Sequence, residues 1–129
     1  MHVNIKDLFT GAWLVIDERY AQFIRVAEDN FVEVQFAGED VTSPVPLDVL
    51  RPIFINRVII QQCGFTATGN VYSNSLFQIT IGGASNIYKI TGHRIKRPFV
   101  THLLSQLHIF QSIYKFETDE ELVFKPEER

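Results

Sequence analysis

"FVTHLLSQLHIFQSIYKF", residues Phe99 to Phe116, places Leu103, Leu107, Phe110 and Tyr114 at spacings of four, three and four, with Leu104, Ile113 and Phe116 beside them. That recurrence follows the 3.6-residue period and predicts a long amphipathic helix over 99–116 with a broad apolar stripe. A stripe of that width needs a partner layer. The β-rich remainder of the chain is the obvious one, so an α+β fold is expected, with the C-terminal helix packed on a sheet.

Working back towards the N-terminus, Phe77, Ile79 and Ile81 alternate with polar residues. Ile87 to Ile90 follows, and Gly82-Gly83-Ala84-Ser85-Asn86 between the two runs supplies a permissive hairpin loop. His93 to Arg97 extends the last strand or forms another before Pro98. Upstream, Asn56 to Phe65 reads as a short central helix, with Asn56 as N-cap and Gly64 at the left-handed position after the C-terminus. Pro52 makes 47–55 irregular, and 37–46, with Gly38, Pro44 and Pro46, reads as a loop with a short edge strand. The first third is a β-meander or small SH3-like barrel. Ala12 to Ile16 is a continuous apolar run, and Val32, Val34 and Phe36 share one face of the next alternating segment. Asp17-Glu18-Arg19 and Glu28-Asp29-Asn30 supply turns. One domain over 1–129 is expected, with a β-meander lobe at 1–46 and a mixed lobe at 47–129 sharing its core.

Beyond the helix, Thr118-Asp119-Glu120-Glu121 matches a capping box, which predicts a new short turn with Thr118 as its N-cap. Leu122 to Phe124 then offers apolar side chains to close against the sheet.

Composition narrows the function classes. Of the 129 residues 46% are hydrophobic and 21% charged, as in a folded globular chain. The formal net charge of −3 argues against bulk electrostatic attachment to nucleic acid. The single cysteine, Cys63, makes neither an internal disulfide nor a cysteine-based zinc site. No signal peptide and no membrane-spanning run is expected, and a cytoplasmic location is the default.

Two segments resemble a known family. "LHIFQSIYKFETDEEL" is similar to the C-terminal signature V-H-Q-L-Q-N-L-Y-x-A-L-T-G-E-E-L of short uncharacterised proteins of Bacteroidetes genomes and prophages, matching at His108, Gln111, Tyr114, Thr118, Glu120, Glu121 and Leu122. "PIFINRVIIQQCGF" is similar to that family's P-I-P-L-T-x-x-x-L-x-x-C-G-F segment at Pro52, Ile53, Cys63, Gly64 and Phe65. Ile109 stands in place of a Gln, Ser112 of an Asn, Glu117 of a Leu and Asp119 of a Gly. The resemblance covers roughly the last 80 residues and implies an architecture and a mobile-element setting. It implies no activity.

Chemical motifs are sparse. His102 and His108 lie six apart, about 120° and about 9 Å from each other on a helix, whereas metal-binding pairs sit three or four apart. His108 therefore reads as a core-edge histidine, with a His108-centred enzyme site as the sharper alternative. Cys63, at a helix C-terminus, reads as a small buried apolar residue. No P-loop, dinucleotide fingerprint or nucleophile elbow occurs, and no cofactor or metal is implied. His93-Arg94-Ile95-Lys96-Arg97 beside Tyr88 and Phe99 is the one local basic patch. There Arg94, Lys96 and Arg97 would hold a phosphate backbone if the chain bound nucleic acid. A non-catalytic protein-binding or assembly module, presenting a sheet edge or a helix face to a protein partner or to itself, is the leading expectation. The eleven Phe and four Tyr support it, since they exceed what a small core needs.

Overall fold

The computed structural model describes residues 3–82, 87–91, 99–101 and 106–126. The fold is α+β and divides into two compact units, Met1–Phe54 and Ile55–Arg129. The boundary falls at Phe54 rather than at Pro46, because Arg51–Pro52 is hydrogen-bonded into the first sheet.

The first unit is an antiparallel sheet of β1 (Trp13–Ile16), β2 (Arg19–Val26), β3 (Phe31–Phe36), β4 (Ser43–Pro46) and β5 (Arg51–Pro52), in the order β4-β3-β2-β1-β5. The β1–β2 turn is two residues long, with Asp17 and Glu18 both at positive φ (49° and 65°). That is the backbone of a type I′ hairpin, whose twist matches the flanking strands. Strand alternation then decides what is buried. Ala12, Leu14 and Ile16, Ala21 and Phe23, and Val32, Val34 and Phe36 point into one core with Val3 and Leu50. Each fully buried aliphatic or aromatic side chain there contributes about 1.5–3 kcal/mol. At the rim of that same face lies exposed Arg19, paired with Ile16 and in step with Ala21 and Phe23; its guanidinium lies 3.9 Å from the Phe36 ring centroid and pairs with Glu39 at 2.5 Å.

This sheet is a meander and does not close into the small barrel that was the alternative expectation. Its margins explain why. β5 is only two residues long, and β4 carries two prolines. Val45 pairs with Val32, and the Leu47 amide donates to the Asn30 carbonyl at 2.7 Å, so the odd residues of this segment turn towards β3. Pro44 and Pro46 therefore occupy the outward positions, where no N–H is available to continue the ladder.

In the second unit α1 (Arg57–Gln62) begins where expected. The Asn56 side chain accepts from the Ile59 amide at 2.9 Å, and Gly64 follows the helix at φ 87°. The strands β6 (Thr66–Thr68), β7 (Val71–Ser73), β8 (Gln78–Gly82), β9 (Ile87–Thr91) and β10 (Phe99–Thr101) form a second antiparallel meander in the order β10-β9-β8-β7-β6. The expected hairpin is present, with Ile79 opposite Ile90 and Gly82 opposite Ile87, while its loop at 83–86 lies outside the described residues.

The C-terminal helix is shorter than its apolar period suggested. α2 spans Leu107–Thr118, and Phe99–Thr101 is instead a strand paired with Tyr88–Ile90. Phe-Val-Thr is a run of aromatic and β-branched residues, and a neighbouring strand with free backbone groups is enough to draw it out of the helical pattern. Leu107, Phe110 and Tyr114 are buried as the stripe predicts. Phe116 is not: it is 85% exposed. Leu103 and Leu104 lie outside the described residues.

Candidate functional site

The centre of the second unit is four rings. Phe65 follows α1, Phe77 precedes β8, and Phe110 and Tyr114 come from α2. Their centroids lie between 5.2 Å (Phe77–Tyr114) and 6.3 Å apart, tilted or edge-on. The β7–β8 turn is built by Asn74, whose side-chain oxygen accepts from the amides of Leu76 (2.9 Å) and Phe77 (2.8 Å). Its amide nitrogen donates to the Tyr114 hydroxyl at 3.0 Å. α2 is thus seated by an aromatic cluster with one polar latch.

The residues of the resemblance separate into two groups around this helix. His108, Gln111, Tyr114 and Thr118 are buried, with His108 at 1% and Thr118 at 0%, whereas Glu120 and Glu121 are exposed. An imidazole closed to solvent to that degree is reached by no substrate unless the core opens. Cys63 is likewise buried, and burial pushes its thiol up to about 12, so at neutral pH it is not a thiolate nucleophile. Among the described residues no group of three or more His, Cys, Asp or Glu side chains is placed to hold a metal ion. Nor is any helix among them long and apolar enough to cross a membrane.

The capping box is a correction. Thr118 is the last residue of α2, not the first cap of a new turn. Its hydroxyl donates to the Tyr114 carbonyl at 2.7 Å and accepts from the Glu120 amide at 3.2 Å, and Asp119 turns the chain at φ 61°. The same Thr and acids that would start a helix here close one. Leu122 and Phe124 are then buried in an extended segment with Val123 exposed between them, and the Lys125 amide donates to the Gln62 carbonyl at 2.9 Å.

Two surfaces remain. On α2, half-buried Ile109 and Ile113 and exposed Phe116 recur at spacings of four and three, forming a second apolar strip beside the buried one. In the first unit a cleft of about 510 Å³ is lined by Val3, Asn30, Phe31, Pro46, Leu47 and Asp48. Sequence reasoning missed both surfaces. The helical period places Phe116 in the core stripe, and the cleft joins Val3 to residues that the β3–β4 pairing brings together from distant parts of the chain. The basic patch of Arg94, Lys96 and Arg97 lies outside the described residues. No family model, no curated protein and no solved structure matches this chain.

Proposed function

We propose that the chain is a cytoplasmic, non-catalytic assembly module whose outward α2 strip makes the protein contact. The observation that carries this reading is Phe116, 85% exposed on a well-seated helix. A large ring left in water at the end of a short apolar strip gains about 1.5–3 kcal/mol when a partner covers it, which is the energetics of an interface anchor. The helix face is favoured over the β4 margin because Pro44 and Pro46 leave that margin without donors for an added strand.

A second copy of the chain is the simplest partner. Light scattering on the purified chain is then expected to give a mass of at least twice the 14.9 kDa monomer, and Phe116→Ser is expected to return it to monomer. Phe116 is too exposed for that substitution to unsettle the core. A wild-type chain that stays monomeric at millimolar concentration, or a Phe116→Ser variant with undiminished mass, sinks the reading.

A further inference from the structure

The first unit is strongly acidic, with nine Asp and Glu against four Lys and Arg, a net of five negative charges on 54 residues. Its cations are largely occupied. Arg19 pairs with Glu39, Arg25 pairs with Glu33 at 2.6 Å, and Arg51 donates to the carbonyls of Asp48 and Leu50. Of the seven acids outside those two ion pairs, three lie at or beside the cleft: Glu28 and Asp29 form the exposed β2–β3 turn that leads directly into Asn30 and Phe31, and Asp48 lines the cleft itself. No ion pair to Glu28, Asp29 or Asp48 is found among the described residues. Phe31 is 45% exposed, so its ring offers a face to whatever enters, beside the apolar walls of Val3, Pro46 and Leu47.

We propose that this cleft binds a short basic and apolar segment of a protein partner, with an Arg or Lys cation set between the Phe31 ring and the Asp48 carboxylate and an apolar neighbour against Pro46 and Leu47. The chemistry is complementary on both counts. A cation is drawn to an exposed aromatic face and to a surface of surplus negative charge, and an aliphatic side chain fills the walls that a bare cation leaves wet. The Arg19–Phe36 stack, closed by Glu39, shows the same three groups already associating within this unit. The inference rests on the protein-binding reading above but uses a different surface, so the two fail separately.

The test is fluorescence anisotropy on the full chain, using a fluorescein-labelled peptide of alternating arginine and leucine at moderate salt. Peptides of glutamate with leucine and of arginine with serine serve as comparisons. Binding of the arginine–leucine peptide is expected, with Asp48→Asn and Phe31→Leu each weakening it about three-fold or more. Asp40→Asn, an exposed acid outside the cleft, should leave it unchanged. The proposal is overturned if the arginine–leucine peptide does not bind or if either comparison peptide binds as well. It is equally overturned if Asp40→Asn weakens binding as much as Asp48→Asn, which would mark diffuse attraction to an acidic surface. Should Phe31→Leu fail to fold by circular dichroism, Asp48→Asn, a near-isosteric surface change, decides. Peptide binding retained by Phe116→Ser would show that the cleft works whatever α2 does.

Discussion

The Asn74 side-chain amide donates to the Tyr114 hydroxyl at 3.0 Å, across forty residues of sequence, while its oxygen holds the amides of Leu76 and Phe77. One side chain therefore shapes the β7–β8 turn and fixes the last aromatic ring of the α2 cluster. Tyr114→Phe, which keeps the ring and loses only the latch, is expected to cost about 0.5–1.5 kcal/mol. Asn74→Ala loses the turn bonds as well and should cost about 2 kcal/mol or more. Urea denaturation of the two single variants and the double variant checks this. Strict additivity would mean that the bond seen here carries no energy.

Asp119 sits at φ 61°, directly after the last helical residue. A left-handed residue at that position is easiest for glycine, which pays no steric penalty for positive φ. Asp119→Gly is expected to stabilise the chain by about 0.5–1 kcal/mol, read as a higher melting temperature. A lower melting temperature would mean that the Asp119 carboxylate does something for the fold that the backbone argument overlooks.

Burial raises the Cys63 thiol from 9.0 to about 12. Because the folded-state pKa lies above the unfolded one, the unfolded chain loses its proton first. The linked stability is therefore intact below pH 9 and declines as pH rises from 9 towards 12. Cys63→Ala should flatten that part of the alkaline decline, measured by denaturation at pH 8 and pH 10. Wild type should also resist iodoacetamide at pH 8 until it is unfolded, and rapid alkylation of the native chain would contradict the burial.

The Tyr72 hydroxyl is buried, and no hydrogen-bond partner for it is found among the described residues. Removing an unsatisfied buried hydroxyl while keeping its ring relieves a desolvation cost of about 1–3 kcal/mol. Tyr72→Phe is therefore expected to be at least as stable as wild type in thermal unfolding. A clear loss of stability would mean that the hydroxyl is held by a bond not seen here.

What could be read in advance follows the range of the forces concerned. Strand alternation at Val32, Val34 and Phe36, the Asn56 cap and the left-handed Gly64 are local, set by neighbours within four residues, and the structure reproduces them. The strand at Phe99–Thr101 is not legible because strand pairing is non-local: nothing in its own sequence announces Tyr88–Ile90 as a neighbour. Thr118 is ambiguous for a subtler reason. A hydroxyl followed by acids suits either end of a helix when the preceding carbonyl at Tyr114 is within reach, and only the chain direction around Asp119 distinguishes the two. Periodicity places Phe116 near the apolar face, one step past its edge, and so does not distinguish it from the core. The cleft was invisible for the same reason as β10, since Val3, Phe31 and Asp48 meet only through tertiary pairing.

The prolines at 44, 46 and 52 reach beyond the shape of the meander they border. A filament that grows by laying strand upon strand must find a matching amide at each step, and at the rim formed by Ser43–Pro46 every second one is missing. That rim is in this sense closed to fibre growth, and crowding the protein in a cell or a concentrator should not recruit it.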